Sequence, residues 1–240
     1  MFGKNQTAIV TGGNSGIGEA IVYALAARGM NVVVAGRRQE ENERVAAEVA
    51  DRFGIEALPI SVDVSKESEC HGLIETAVQK FGGVELLVNN AGIGAGGKIM
   101  DTDTETFDRV MKTNLYSTYW CSRSAYASML ENEVVPENGL RGGIINISSL
   151  CGVEAWSGVG AYATSKHGVM GLSRAMADEG AEDQIRVAAV CPAMVATPLT
   201  GASGPDVLTP EDIAKTVTYL LDLSSAAWPK EIVLNRRGED

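Results

Sequence analysis

Short apolar runs alternate along this chain with stretches in which apolar residues recur at helical spacing. The runs predict strands over residues 7–10, 31–35, 57–62, 84–88, 143–149, 184–191 and 231–234. The periodic stretches predict helices between residues 18 and 29 and over 39–53, 66–81, 101–111, 113–130, 160–176 and 210–222. Strands that alternate with helices imply a parallel sheet covered on both sides. We therefore predict an α/β fold, a doubly wound parallel sheet of about seven strands with helices on both faces.

Composition and charge narrow the class of protein. The chain has 240 residues, of which 45% are hydrophobic and 21% charged, values typical of a soluble globular protein. Its net charge of −11 argues against nucleic acid or an anionic membrane surface as the main partner. No apolar run approaches the roughly 18 residues of a membrane span, and the first residues contain no signal-peptide core. Four scattered cysteines favour reduced thiols over disulfides or a metal site. These features predict a cytoplasmic protein without a bound metal.

The first predicted strand runs directly into a glycine-rich segment, residues 11–18, and a helix follows. This is the context in which such a loop binds a dinucleotide on a Rossmann-type sheet. Glycines let the backbone approach a pyrophosphate, and the helix N-terminus presents free N–H groups and a partial positive charge. A plain tight turn is the alternative. The residues predicted to contact the cofactor here are Gly12, Asn14, Ser15, Gly16, Ile17 and Gly18.

The second predicted strand is followed by Gly36, Arg37 and Arg38. A site for NAD often has an acidic residue near this point, which bonds the ribose 2′-hydroxyl. Guanidinium groups instead match the geometry of a phosphate. We therefore predict NADP(H) rather than NAD(H), with Arg37 as the main contact to the 2′-phosphate and Arg38 as the second. A solvated helix start is the alternative, because acidic residues follow at positions 40, 41 and 43.

Polar residues also stand where the third and fourth predicted strands end. Asp63 precedes Val64, and Asn90 opens the segment Asn90-Ala91-Gly92. Ligands of a doubly wound sheet bind at the carboxyl ends of its strands. We predict all five residues at the cofactor site, with Asp63 and Asn90 reaching the adenosine. A simple turn former is the alternative for each of these two.

Tyr162 and Lys166 lie four residues apart in the predicted helix 160–176, so their side chains share one face. A phenol with a pKa of about 10 is a poor acid or base at neutral pH. A nearby cation can lower that pKa by roughly 1–3 units. The pair therefore indicates a tunable proton donor and acceptor, although a solvated helix face is the more common meaning of such a pair. Asn114 lies near the start of another predicted helix, where a purely structural role in capping that helix is the alternative to a role in the site.

Together these pieces resemble the short-chain dehydrogenase/reductase family, of the compact single-domain kind, over nearly the whole chain. The matching pieces are residues 11–18, Asp63-Val64, 89–92, Asn114, Ser149, Tyr162 with Lys166, and 192–197. The resemblance implies one NAD(P)-binding Rossmann-fold domain over residues 1–240, with a substrate site at the C-terminal ends of the strands.

The resemblance also implies a role for each matching residue. Tyr162 would be the general acid in reduction and the base in oxidation. Lys166 would lower the pKa of Tyr162 and bond the nicotinamide ribose, and Ser149 would hold the substrate oxygen. Asn114 would anchor a water that links Lys166 to solvent. Contacts to the nicotinamide half of the cofactor would come from Pro192, Val195 and Thr197.

The chain departs from the family pattern in two places that bear on the site. Pro192-Ala193 stands where Pro-Gly is usual, and Gly180 follows Lys166 unusually soon. The implied activity is NADP(H)-dependent interconversion of a ketone or aldehyde and an alcohol by hydride transfer. The oligomeric states common in the family imply a homodimer or a homotetramer.

Two alternatives to this activity stay open. One is a 3-oxoacyl-thioester reductase of fatty-acid metabolism, for which the acidic chain shows no basic patch to dock an acidic carrier. The other is a non-catalytic NADP-binding sensor or scaffold, which would not need Tyr162 and Lys166. The substrate itself is not readable, but residues 94–100 and 198–208 are expected to shape its pocket, and they offer no clear ionic anchor. Cys151, Val153 and Trp156 are expected to add apolar walls.

Overall fold

A computed structural model of the protein describes residues 2–136, 138–224 and 226–237. Its strands form one parallel seven-stranded sheet in the order β3-β2-β1-β4-β5-β6-β7. The strands are β1 (Thr7–Thr11), β2 (Asn31–Gly36), β3 (Ala57–Ser61), β4 (Leu86–Asn89), β5 (Gly142–Ile147), β6 (Ile185–Pro192) and β7 (Glu231–Leu234). The strand order reverses between β1 and β4, which is the switch point where such sheets bind ligands. The predicted fold class is confirmed.

Helices connect successive strands along most of the chain. They are α1 (Gly16–Ala27), α2 (Gln39–Phe53), α3 (Glu67–Phe81), α4 (Thr104–Met111), α5 (Ser117–Leu130), α6 (Gly160–Glu182) and α7 (Pro210–Asp222). Short 3₁₀ turns lie at Ile99–Asp101 and Leu150–Gly152. The glycines that follow α2 and α3, Gly54 and Gly82, adopt the left-handed conformation with φ of 66° and 89°. These glycines end the helices as the sequence predicted, because only glycine adopts that conformation without steric cost.

The two faces of the sheet are covered by different helices. Ala8 and Val10 of β1 pack with α1, α2 and α7 in one core cluster, whereas Ile9 between them packs with α3 and α5 in a second. Successive strand residues point to opposite faces. Because both faces are buried, the strands appear in the sequence as continuous apolar runs rather than as apolar and polar residues in alternation.

The structure corrects several predicted boundaries. The strand predicted over 143–149 ends at Ile147, and the strand predicted from 84 begins at Leu86. The helix predicted from 101 begins at Thr104, because the carboxylate of Asp103 caps its first turn. The helix predicted over 160–176 continues to Glu182. The early end of β5 matters for the site, since Ser149 then lies outside the sheet, whereas the N–H of Ser148 still donates to the Val190 carbonyl oxygen of β6.

The helices predicted over 101–111 and 113–130 are not separate. A π-helical turn, Lys112–Tyr116, joins α4 to α5. Asn114 lies inside this turn and is buried. The alternative that Asn114 caps a helix is therefore wrong.

None of the helices in the described part of the chain combines the length and the apolar composition that a bilayer crossing requires. The described residues also hold no group of three or more His, Cys, Asp or Glu side chains placed to bind a metal ion. The cysteines Cys70, Cys121, Cys151 and Cys191 are buried free thiols.

Candidate active site

One cavity opens at the carboxyl ends of β1, β4, β5 and β6. It is lined by Gly12, Ser15, Gly16, Ile17, Asn90, Ala91, Gly92, Ile147, Ser148, Tyr162, Lys166, Thr197, Pro198 and Leu199. The cavity spans the point where the strand order reverses, which is where the fold predicts a ligand. Ten of the predicted site residues are among these lining residues.

The glycine-rich loop is packed so closely that side chains larger than hydrogen are excluded. A Cβ added at Gly18 would lie 2.1 Å from the carbonyl oxygen of Gly12 and 2.5 Å from Nδ2 of Asn90. Asn90 Nδ2 itself donates to the carbonyl oxygens of Thr11 at 2.9 Å and Gly12 at 3.2 Å. The side chain of Asn90 thus holds the loop against β4, while Asn90 also lines the cavity, and its contact with an adenosine stays a prediction.

The start of α1 faces this cavity. Ser15 precedes the helix in an extended conformation and makes no capping hydrogen bond with its side chain. The first-turn N–H groups of α1 and the partial positive charge of its N-terminus are therefore available to an anion. Close backbone approach at Gly16 and Gly18 together with this helix terminus fits the pyrophosphate of a dinucleotide cofactor.

Thr11 is a site residue that the sequence reasoning missed. Its Oγ1 accepts hydrogen bonds from the backbone N–H groups of Asn90, at 3.0 Å, and Ala91, at 3.1 Å. This hydroxyl joins the ends of the two strands at the switch point. The sequence feature that could have identified Thr11 was its position as the last residue of β1, directly before the glycines.

The two arginines after β2 differ in their contacts. Both side chains are exposed. Arg38 Nη2 donates to Oδ1 of Asn14 at 3.3 Å, and Asn14 Nδ2 donates to Oδ1 of the buried Asn42 at 2.7 Å. Asn14, itself part of the glycine-rich loop, thus tethers Arg38 there, and its contact with the cofactor stays a prediction. The sequence ranked Arg37 first, whereas the contact with the glycine-rich loop belongs to Arg38.

Asp63 and Val64 lie at the end of β3, outside the lining of the cavity. Oδ1 of Asp63 accepts hydrogen bonds from the hydroxyl and the N–H of Ser65, at 2.7 and 3.1 Å. The Ser65 hydroxyl is the main cause that lowers the pKa of Asp63. Val64 is buried in the core cluster of the α3 face. Asp63 therefore has the contacts of a turn former, and an adenosine contact stays a prediction.

Tyr162, Lys166 and Ser149 meet where α6 passes the end of β5. Lys166 is 5% exposed, and its Nζ donates to the carbonyl oxygen of Ile147 at 2.9 Å. The same Nζ lies 5.8 Å from the centre of the Tyr162 ring. The Ser149 side chain lies close enough to the Tyr162 phenol to lower the pKa of Tyr162 in part. Ser149 Oγ also accepts from the N–H of Cys151 at 3.1 Å, so the hydroxyl, phenol and ammonium predicted from the sequence lie together.

Burial is the largest cause of the pKa shifts of Lys166 and Tyr162. Burial lowers the pKa of Lys166 from 10.5 to about 8, because the interior disfavours an ammonium. Burial raises the pKa of Tyr162, and the neighbouring Ser149 side chain offsets part of that rise. Desolvation of the phenolate outweighs the other influences on the pKa of Tyr162. Lys166 is not among the causes of this shift, so the expected lowering of the Tyr162 pKa by Lys166 stays a prediction.

Asn114 is tied to the backbone that borders the site. Its Oδ1 accepts from the N–H of Ile93 at 2.8 Å, and its Nδ2 donates to the Ile93 carbonyl and to Ser165 Oγ, both at 3.0 Å. Ser165 Oγ in turn donates to the carbonyl oxygen of Tyr162 at 2.7 Å. Asn114 thus reaches the helix turn that carries Tyr162. Ser165 was missed by the sequence reasoning, and its position directly before Lys166 was the only available signal.

The loop after β6 crosses above the glycine-rich loop. Thr197 Cγ2 would lie 3.3 Å from a Cβ at Gly16, so the two segments touch. Val195 is buried and forms a parallel bridge with Leu208. Of the three residues predicted in this segment, Thr197 lines the cavity, whereas Val195 and the strand-end Pro192 are buried behind it.

Comparison with known proteins agrees with this geometry. A family model described as short chain dehydrogenase matches residues 6–207. An uncharacterized oxidoreductase of Staphylococcus aureus (strain MRSA252) is 32% identical over 96% of this chain and 95% of its own length. A D-beta-hydroxybutyrate dehydrogenase of Rhizobium meliloti (strain 1021) is 38% identical over 84% of this chain and 76% of its own.

Two solved structures are similar over nearly the whole chain. The alcohol dehydrogenase of the archaeon Thermococcus sibiricus, complexed with 5-hydroxy-NADP, has a TM-score of 0.88 and 26% identity, and 98% of each chain is covered. A single-residue variant of the actinorhodin polyketide ketoreductase, with NADPH, has a TM-score of 0.85 and 30% identity, with 98% of this chain and 97% of the other covered. The chain therefore belongs to the short-chain dehydrogenase family and is an oxidoreductase, of a family that binds a nicotinamide cofactor.

Proposed function

We propose that the protein is an NADP(H)-dependent oxidoreductase that interconverts a carbonyl compound and an alcohol, with Tyr162 as the acid and base. One observation carries the proposal. A buried lysine, a tyrosine and a serine converge at the carboxyl end of β5, beside a helix N-terminus and a loop shaped for a pyrophosphate. A structural role alone does not account for Lys166, since burying an ammonium destabilises a fold.

The chain's own residues divide the work of the reaction. The cofactor, when bound, supplies or accepts the hydride. Ser149 Oγ holds the substrate oxygen, and Tyr162 Oη, whose pKa the neighbouring Ser149 side chain influences, gives its proton to that oxygen in reduction or takes one in oxidation. Lys166 stabilises the phenolate that results, because its ammonium lies on the same helix face as the phenol.

Asn114 holds in place the turn of α6 that carries Tyr162. It joins the Ile93 backbone to Ser165, which holds the backbone of Tyr162. We propose that it also anchors the water that returns protons to Lys166 from solvent.

Three observations support NADP(H) over NAD(H). Arg37 and Arg38 follow β2, where a 2′-phosphate contact belongs in this fold. Arg38 is held beside the glycine-rich loop by Asn14, and no acidic side chain stands between Gly36 and Gln39. The two structural neighbours carry NADPH and 5-hydroxy-NADP.

The same proposal includes a single domain over residues 1–240, a cytoplasmic location and assembly as a homodimer or homotetramer. A second candidate is a dehydrogenase of short 3-hydroxy acids. The identity of 38% with a D-beta-hydroxybutyrate dehydrogenase favours it. The thioester reductase and the non-catalytic sensor remain the further alternatives, and the same experiment separates all of them.

The test is a set of initial rates on carbonyl compounds, read at the absorbance of the reduced cofactor and run in parallel with NADPH and NADH. The set contains aliphatic and aromatic ketones, an aldehyde, acetoacetate and an acetoacetyl thioester. We expect turnover of neutral ketones, with kcat/KM higher for NADPH by about tenfold or more, since a charge-assisted hydrogen bond contributes about 1.5–3 kcal/mol.

Arg38→Ala tests the cofactor assignment at its proposed contact. The substitution should lower kcat/KM for NADPH by roughly tenfold or more and leave NADH nearly unchanged, because NADH lacks the 2′-phosphate. Equal rates with both cofactors in the wild type would refute the assignment.

A further inference from the structure

Three loops at the mouth of the site present large apolar side chains to solvent. They follow β4, β5 and β6, which are neighbours in the sheet. The side chains are Ile99, Met100, Trp156, Met194 and Leu199, between 43% and 84% exposed. We call these five residues the apolar rim. They make up half of the ten exposed large apolar side chains among the described residues, so the exposure is concentrated at one place.

The rim borders the catalytic group. Leu199 lines the same cavity as Tyr162 and Lys166. The N–H of Gly97 donates to the carbonyl of Gly158 at 2.8 Å, which joins the first loop to the second. A Cβ at Gly160 would lie 2.5 Å from Cδ1 of Ile99, so this loop also packs on the first turn of α6, two residues before Tyr162.

The other two loops are fixed as well. The loop that carries Met194 is closed by backbone hydrogen bonds from Leu208 to Met194 and from Ala196 to Leu208, at 3.0 and 2.8 Å. Trp156 follows the 3₁₀ turn Leu150–Gly152, which begins directly after Ser149. The rim therefore lies on loops that contain Ser149, pack on the start of α6 or line the cavity.

The charges on these loops disfavour an anionic ligand. Residues 90–103, 148–159 and 193–209 contain one ammonium, Lys98, against four carboxylates, Asp101, Asp103, Glu154 and Asp206. Asp103 caps α4, but its charge remains negative. A substrate with a carboxylate or phosphate would meet net negative charge here, and like charges at close range repel.

We propose that the substrate is an uncharged ketone, or the matching secondary alcohol, with an extended apolar body that packs against the apolar rim. This inference rests on the proposed function. A clustered patch of exposed apolar side chains is uncommon on a soluble protein unless it binds something. Each methylene that the rim covers should raise kcat/KM by about two- to fourfold.

The kinetic test compares methyl ketones of rising length, from 2-butanone to 2-nonanone, and pairs 2-octanone with 7-oxooctanoate. The pair differs only in a terminal methyl against a carboxylate. We expect kcat/KM to rise along the series and 2-octanone to exceed 7-oxooctanoate by about tenfold or more. Trp156→Ala and Leu199→Ala should flatten the rise with chain length. The matched control is Tyr219→Ser, an exposed residue of α7 away from the rim, which should keep the wild-type series.

A binding measurement is independent of turnover. The tryptophans are Trp120, Trp156 and Trp228. With oxidised cofactor present, a ketone cannot react, so 2-octanone should shift the emission of exposed Trp156 to the blue, and 7-oxooctanoate should shift it much less. Trp156→Phe should remove this shift, which assigns it to the rim.

The outcomes separate this inference from the proposed function. No turnover of any carbonyl compound would overturn the function, whereas a blue shift of Trp156 with 2-octanone and oxidised cofactor would still support apolar binding at the rim. Turnover with a flat series and an unmoved emission, or a preference for the carboxylates, would overturn the apolar substrate alone. Emission that is already blue and moves to the red on dilution would also overturn it, because a second copy of the chain would then cover the rim.

Discussion

Replacing Lys166 with Met should change how the stability of the protein depends on pH. The pKa of Lys166 falls from 10.5 to about 8 on folding because its ammonium is buried. The unfolded chain therefore binds this proton more tightly than the folded protein does. As a result, the free energy of unfolding of the wild type rises with pH between about 8 and 10.5 through this group. Methionine has no proton to lose, so the variant lacks this contribution.

The size of the effect follows from the same values. One pKa unit corresponds to about 1.4 kcal/mol, so a fall from 10.5 to about 8 corresponds to roughly 3 kcal/mol when the whole interval is crossed. Between pH values near 7 and near 10, the free energy of unfolding of the wild type should therefore rise by about 2 to 3 kcal/mol through Lys166. The hydrogen bond from Nζ to the Ile147 carbonyl is lost in Lys166→Met at every pH, so it does not alter the slope.

Urea denaturation followed by circular dichroism at several pH values measures this directly. The wild-type free energy of unfolding minus that of Lys166→Met should increase by about 2 to 3 kcal/mol from neutral pH to near pH 10. Lys215→Met, which removes an exposed lysine of α7, is the control and should give a flat difference. A flat difference for Lys166→Met would refute the claim that its ammonium is buried at a cost in stability.

Three further substitutions test other parts of the structure. Asn114→Ala removes a buried amide with three hydrogen bonds and should lower the free energy of unfolding by about 2–4 kcal/mol in urea denaturation, and kcat with it. Gly18→Ala places a Cβ at 2.1 Å from the Gly12 carbonyl oxygen, so cofactor titrations should show a Kd weaker by about tenfold or more. Thr209→Ala breaks the capping box with Asp212 and should cost about 1 kcal/mol in the same denaturation assay without changing kcat. Unchanged stability of Asn114→Ala would contradict the first expectation, and an unchanged Kd of Gly18→Ala the second. A changed kcat of Thr209→Ala would contradict the third.

The sheet and the helices could be predicted because local signals and tertiary structure agree in them. Strands buried on both faces appear as apolar runs, and the left-handed glycines Gly54 and Gly82 end helices where the sequence placed them. Gly180 shows the opposite case. It was noted as a departure, yet α6 continues through it, and a Cβ there would lie 2.4 Å from the Ile185 carbonyl oxygen. A contact with the next strand explains this glycine, and such a contact leaves no trace in local spacing.

The site was predictable in its members but not in its electrostatics. Tyr162, Lys166 and Ser149 were found from spacing and resemblance, and the structure brings them together. The sequence did not predict that the pKa of Tyr162 is raised, because this shift depends on how deeply the phenol is buried. The π-helical turn at Asn114 was also missed. Asn114 in this turn makes a pair of hydrogen bonds to Ile93, which lies on another segment of the chain and so leaves no signal in local spacing.

The central claim is that Tyr162 transfers the proton beside the bound cofactor, and Tyr162→Phe tests it most directly. The substitution removes only the hydroxyl, so the ring and the packing of α6 should be kept. We expect NADPH to bind this variant with a Kd close to that of the wild type, measured by fluorescence titration. Turnover of the best ketone should fall by roughly a thousandfold, within the roughly 10²–10⁴-fold range typical of a lost general acid. Wild-type turnover in Tyr162→Phe, with NADPH bound, would contradict the account.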